Sequence, residues 1–140
     1  MRLRPYTAAD ESSVIALWNG CGLVVPQNDP KKDIARKMAE HPELFIIGEQ
    51  AGEVIGSCMA GYEGHRGWIN YLAVHPEHQR QGYATELLRE ARRLLEALGC
   101  PKINLQIRAT NQSVISFYEK LGFVEDPVRS FGLRLLHDTP

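Results

Sequence analysis

Cysteine is scarce in this chain. Cys21, Cys58 and Cys100 make an odd number, at spacings that match neither a disulfide framework nor a zinc site. That argues against a stapled secreted scaffold, and a reducing cytoplasm is the expected location. Neither sign of charge is in excess: 16 Lys and Arg against 17 Asp and Glu leave a net charge of -1 and a pI near 6.5. With no surplus cation to neutralise a polyanionic backbone, nucleic acid is not an expected partner. Long apolar runs are missing as well. Nothing approaches bilayer length, and the opening "MRLRPYTAADE" lacks the apolar stretch of a signal peptide, so no membrane is expected either. Internal repeats, low-complexity linkers, the three-glycine dinucleotide fingerprint and the Gly-Lys-Ser/Thr of a P-loop are all lacking.

What is present is a chain of 140 residues, 44% apolar and 24% charged, with no composition break. It reads as one α/β domain over residues 1–140. Residues 2–6 suit a short strand, followed by Thr7 as a helix cap with Asp10 three positions on. Val14, Leu17, Trp18 and Cys21 then recur at helical spacing. "NDPKKDIARKM" repeats the logic, with Asp29 as cap, Pro30 at the first helical position, and Ile34 and Met38 one turn apart on the expected buried side. "LFIIGE", "VIGSCMAGY" and "WINYLAV" read as strands of an antiparallel meander joined by turns at 50–53 and 63–67. From Gly82 the period changes to 3.6: Ala84, Leu87, Leu88, Ala91, Leu94, Leu95 and Leu98 mark one face, and Gly99 stops the helix. "KINLQIRA" is another expected strand, set parallel to "WINYLAV" by a right-handed crossover. A shorter helix over "QSVISFYEKLG" and a final strand at "GLRLL" complete the expectation.

Two stretches carry chemistry. In "HPEHQRQGYATELL" a helix is entered directly from a strand, leaving its first N–H groups unpaired and its positive dipole end exposed, which suits a phosphate. Gly82 would let that backbone come close, and Gln79, Arg80 and Gln81 would add donors and a positive charge. A relaxed strand-to-helix turn is the simpler reading of one glycine. In "NQSVISFYEKLGF", Asn111 would cap the helix, and Tyr118 sits where its hydroxyl can escape the core or simply pack. His75 and His78 are not expected to hold a metal, because Pro76 disfavours the helix that would align them and no further ligands complete a set.

Together these stretches resemble the GNAT superfamily of acyl-coenzyme A dependent N-acetyltransferases, most sharply over residues 68–123. Gln79, Arg80, Gln81, Gly82, Tyr83 and Ala84 look like the family's Gln/Arg-x-x-Gly-x-Gly/Ala motif, and "ATNQSVISFYEKLGF" looks like the motif that follows it. The resemblance implies a mixed, mostly antiparallel sheet with one splayed parallel strand pair and helices on both faces. It implies acetyl-CoA as cofactor, with Leu72, Ala73 and Val74 along the pantetheine arm, Gln79 and Arg80 to Thr85 at the pyrophosphate, and Asn111 near the thiol. Tyr118 would be the general acid that protonates the leaving thiolate, and an N–H of the splayed strand would stabilise the oxyanion. Asn28 and Asp29 fall where the resemblance places the acceptor loop.

The base departs from the pattern. Sequences like the ribosomal-protein N-terminal acetyltransferases, which the chain resembles from Asn70 onward, carry a glutamate where Gln106 stands, and a carboxamide cannot accept the proton. Other relatives place a carboxylate on residues 68–74, where this chain has Asn70 and Tyr71. Glu63 and His65 are substitutes on a turn; a water relay, or an amine that arrives neutral, serves equally. The function expected is acetyl transfer from acetyl-CoA to a primary amine by direct attack, the acceptor being a small molecule or a protein amine. A catalytically silent acyl-CoA binding module is the alternative, and a homodimer is the one assembly left open.

Overall fold

A computed structural model describes residues 1–138. Its five strands are β1 (Arg2–Pro5), β2 (Phe45–Gln50), β3 (Glu53–Tyr62), β4 (Gly67–Val74) and β5 (Ile103–Asn104), side by side in chain order. The first three pairings are antiparallel and β4 pairs with β5 in parallel. The helices are α1 (Glu11–Gly20), α2 (Pro30–Met38), α3 (Tyr83–Ala97) and α4 (Gln112–Lys120). Alternation along the strands divides the core in two. Phe45, Ile47, Met59 and Ala73 meet Val14, Leu17, Trp18 and Ile34 of α1 and α2 on one face. Ile46, Cys58, Ala60, Ile69 and Val74 meet Leu87, Leu88, Ala91 and Leu95 of α3 and Tyr118 of α4 on the other. The mixed sheet with helices on both faces is the architecture the sequence motifs imply.

Local chemistry explains the first elements. The Asp10 carboxylate accepts from the Thr7 backbone N–H at 2.8 Å and takes a two-pronged contact from Arg4, Nη1 and Nη2 each donating at 2.8 Å. Asp29 caps α2 by accepting from the Lys31 N–H at 2.9 Å, with Pro30 at the first helical position. Of the two apolar residues expected on its buried side, Ile34 is buried and Met38, at the helix end, is exposed.

Two expected strands come out differently. Of residues 102–109, only Ile103 and Asn104 pair, with Gly67 and Trp68. Beyond them β4 is bulged and diverges, so the next residues find no ladder. The segment "GLRLL" forms no strand: Phe131, Leu133, Leu135 and Leu136 are all exposed. The chain end is drawn across to α2 instead. Arg134 donates to the Gln27 carbonyl at 3.2 Å, and Asp138 receives Arg36 Nη2 at 2.5 Å and the Asp29 N–H at 3.2 Å. Side-chain contacts to α2 and the loop before it stand where a strand pairing was expected, and β-propensity alone does not make a strand.

Candidate active site

The loop between β4 and α3 has an unusual backbone. Arg80 (φ 62°) and Gly82 (φ 84°) both take the left-handed conformation. A Cβ at Gly82 would meet nothing within 4 Å, so within the chain glycine is favoured there by its positive φ rather than by crowding, and the space beside it stays open. No side chain caps the helix, and its first bond runs from the Glu86 N–H to the Gly82 carbonyl at 3.1 Å. The N–H groups of Tyr83, Ala84 and Thr85 therefore have no acceptor within the helix. With the exposed side chains of Arg80 and Gln81 beside them, they make a cationic, donor-rich helix mouth that suits a diphosphate. Gln79 is turned the other way: its Nε2 donates to the Val74 carbonyl at 3.0 Å and pins the loop to the strand. The Tyr83 hydroxyl likewise donates away from the loop, to Gln50 Oε1 at 3.0 Å.

Upstream of this loop β4 is bulged. Ser57 pairs with Ala73 and Met59 with Asn70, so two β3 steps span three on β4, and Tyr71 and Leu72 together oppose Cys58. Tyr71 sits at φ 50°, a strained value for an aromatic residue, and three contacts hold it there. Ser57 Oγ donates to the Tyr71 carbonyl at 2.8 Å, Trp18 Nε1 donates to the same Oγ at 2.9 Å, and the Trp18 and Tyr71 rings stack. Because the parallel pairing with β5 ends at Trp68, the side of β4 facing β5 has no strand partner over Leu72, Ala73 and Val74. This gap leads along the strand toward the free amides of α3.

Tyr118 stands beside the gap. It is buried on the α4 side, edge-on to Phe117 and Phe123, and burial, followed by the neighbouring Cys58, pushes its phenol well above the usual range. The phenol is therefore protonated at neutral pH, and among the described residues its hydroxyl makes no hydrogen bond. Cys58 is fully buried, with its thiol pushed up to about 12 by desolvation, and is inert. Cys58 thus lies under Tyr118 and opposite the bulge, which brings the α4 tyrosine and the splayed strand to the same level of the sheet. Asn111 caps α4, its Oδ1 accepting from the Val114 N–H at 3.4 Å, and its side chain is exposed.

The residues singled out for the acceptor divide. Asn28 and Asp29 lie on the loop before α2; the Asn28 side chain is in hydrogen-bonding reach of the Tyr71 hydroxyl, while Asp29 is engaged as a cap. Glu63 is elsewhere. Its carboxylate closes the β3–β4 turn by accepting from the backbone N–H groups of Arg66 and His65 and from Trp68 Nε1, and the Arg66 contact leads in lowering its pKa. That turn lies at the closed end of the β4–β5 pair, about 13 Å of strand away from Tyr71. Sequence reasoning missed Asp33, whose Oδ2 accepts from the Tyr71 hydroxyl at 2.6 Å. A carboxylate was sought on β4 itself; this one comes from α2, 38 residues earlier in the chain, and only Tyr71's place in the motif marked the spot.

A splayed parallel strand pair with a bulged inner strand, a donor-rich helix mouth at its open end and a buried phenol beside it define an acyl-coenzyme A dependent acyltransferase fold. The family model for the acetyltransferase (GNAT) family matches residues 12–123, and the chain belongs to that family. It is 48% identical over 139 residues to the acetyltransferase SG1711 of Sodalis glossinidius, covering 99% of this chain and 98% of that one. Among solved structures it superposes on the aminoglycoside antibiotic 6'-N-acetyltransferase AAC(6')-IG of Acinetobacter haemolyticus with a TM-score of 0.76 at 19% identity, covering 96% and 99% of the two chains. The ribosomal-protein-S18-alanine N-acetyltransferase of Escherichia coli gives 0.75 at 22% identity, covering 89% and 78%. The protein is an acetyltransferase. No helix among the described residues is long and apolar enough to cross a membrane.

Proposed function

We propose that the protein transfers the acetyl group of acetyl-CoA to a primary amine by direct attack, both substrates being bound together. The observation that carries this reading is the gap between β4 and β5, with the free amides of Tyr83, Ala84 and Thr85 at its open end and Tyr118 at its side. The amides and Arg80 would hold the pyrophosphate, and the unpaired edge of Leu72, Ala73 and Val74 would align the pantetheine arm. Asn111, exposed at the start of α4, would meet the cofactor near its thiol end. Acetyl-CoA supplies an activated acyl group on a sulfur leaving group. The protonated Tyr118 supplies the proton that sulfur needs, and a strand N–H freed by the bulge stabilises the carbonyl oxygen as it gains charge.

Two of the structural neighbours are N-acetyltransferases, one of an aminoglycoside antibiotic and one of ribosomal-protein S18 alanine, so both act at an amine nitrogen. A primary amine is accordingly the acceptor class proposed here. The test is a coenzyme A release assay across small amines, amino acids and N-terminal peptides. Turnover well above background hydrolysis with at least one of them is expected; release that never exceeds hydrolysis with any acceptor would overturn the reading.

A further inference from the structure

We propose that Tyr71 and Asp33 together form the proton acceptor for the attacking amine, Asp33 acting through the Tyr71 hydroxyl. The proposal rests on the amine-acetylation reading and names the group that reading lacks. Gln106 cannot take a proton; it is exposed and its Nε2 is bonded to Ser130 Oγ. Glu63 is committed to its turn.

The geometry carries the argument. Tyr71 is the bulged residue of the splayed strand, and its side chain leaves the sheet on the α1 and α2 face. Tyr118 lies on the opposite face at the level of Cys58, which pairs against that same bulge. An acyl group lying in the gap would have a phenol on each side, one positioned to give a proton and one whose own proton is already directed at a carboxylate 2.6 Å away. The stack on Trp18, centroids 3.8 Å apart, and the Ser57 contact to its carbonyl leave Tyr71 little freedom to turn elsewhere.

The groups facing the pair are Arg36 and Lys32 from α2, Asn28 from the preceding loop, and Asp138 at the chain end. Arg36 approaches Asp33 Oδ1 at 3.2 Å but is engaged more closely by Asp138, at 2.5 and 3.0 Å, which leaves Asp33 Oδ2 to the Tyr71 hydroxyl. Lys32 Nζ donates to the Asp138 carbonyl at 2.9 Å and not to Asp33. The Asp33 side chain is 23% exposed, which gives the proton a way out to water.

In the step, the amine nitrogen forms a bond to the acyl carbon and the carbon–sulfur bond breaks with its electron pair going to sulfur. The proton shed by nitrogen passes to Tyr71 Oη as the Tyr71 proton passes to Asp33 Oδ2. The Tyr118 proton goes to sulfur. Tyr71 ends the step neutral, and exchange with solvent then returns a proton to Tyr118 and removes the one gained by Asp33.

Asp33→Asn keeps the shape and an acceptor oxygen for Tyr71 but removes the basicity. It should lower kcat/KM for the amine roughly 10²-fold at neutral pH, with the loss shrinking as pH rises and the amine arrives neutral, and with acetyl-CoA affinity by calorimetry unchanged. Tyr71→Phe should show the same loss, and Asp33→Glu should restore part of it. In the free protein, alkaline ultraviolet titration of Asp33→Asn should show one tyrosine ionising at lower pH than before. A wild-type pH profile in Asp33→Asn, or a loss that high pH does not lift, would overturn the proposal. If the wild-type protein acetylates no amine, the functional reading fails; the tyrosine titration still reports the pair, and an unmoved titration would reject it separately.

Discussion

The indole of Trp18 lies face to face with the ring of Tyr71, centroids 3.8 Å apart and planes within 12°. A helix near the start of the chain is thereby stacked on the one bulged residue of the splayed strand. The same indole donates to Ser57 Oγ, which donates in turn to the Tyr71 carbonyl. The bulge has lost its ladder partner there, and the serine replaces it.

Ser57→Ala tests that arrangement. Ser57 is fully buried, and its removal leaves the Trp18 N–H and the Tyr71 carbonyl without a partner. Each unsatisfied buried group costs about 1–3 kcal/mol, so for the two a loss of about 2–6 kcal/mol is expected in urea denaturation. A change below about 0.5 kcal/mol would mean that water or a backbone shift takes over both bonds.

Gly82→Asp should cut acetyl-CoA affinity at least about tenfold, or about 1.4 kcal/mol, because it sets a negative charge against the helix mouth. Gly82→Ala separates charge from strain. Nothing lies within 4 Å to clash with its methyl group, so it should cost about 1–2 kcal/mol of stability through the positive φ alone. Calorimetric titration of both folded variants would decide, and undiminished affinity in Gly82→Asp would reject the phosphate site.

Tyr118→Phe removes a hydroxyl with no hydrogen-bonding partner, so stability should change by less than about 0.5 kcal/mol. Activity should respond strongly: kcat is expected to fall roughly 10²- to 10⁴-fold with little change in acetyl-CoA affinity. Because burial raises the phenol's pKa, its ionisation should contribute no loss of activity near neutral pH. Full activity in steady-state kinetics of the variant would assign the ring to packing alone.

Asp10 carries a prediction about pH. The Arg4 guanidinium holds its carboxyl down at about 2, below the ordinary value of 3.8, so the native state favours the charged form. Its contribution, about 2 kcal/mol, is present above the unfolded-state value and is lost as pH falls from about 4 to 2. Asp10→Asn should lower stability at neutral pH by about that amount and flatten this part of the acid limb, as read by urea midpoints across pH. Equal acid sensitivity in the variant and the parent would place the linkage elsewhere.

Gln106→Ala should leave kcat and the pH profile of the rate unchanged. The side chain is exposed and its Nε2 donates to the Ser130 hydroxyl. Disappearance of a basic-limb pKa from the rate profile would show that the proton path runs through this position after all.

Sequence alone determined the elements whose signals are local. The α3 stripe, the Asp29–Pro30 and Asn111 caps, the meander and the parallel crossover all follow from side-chain period, capping chemistry and chain handedness, which act within a turn or two of backbone. The two family motifs placed the helix mouth and Tyr118 for the same reason: each is a short, contiguous run. Tertiary structure decided what depends on partners distant in the chain. The final strand did not form: the end of the chain is held to α2 by Arg36 and Asp29, partners about 100 residues earlier that an apolar run cannot announce. The open length of β4 came from a bulge that Ser57 and Trp18 stabilise from two other elements. The carboxylate beside Tyr71 was invisible to a search for acids on the strand, because Asp33 belongs to a helix that meets the strand only when the sheet is assembled. Periodicity reports which face of an element is buried; it carries no information about which side chain of another element will lie against it.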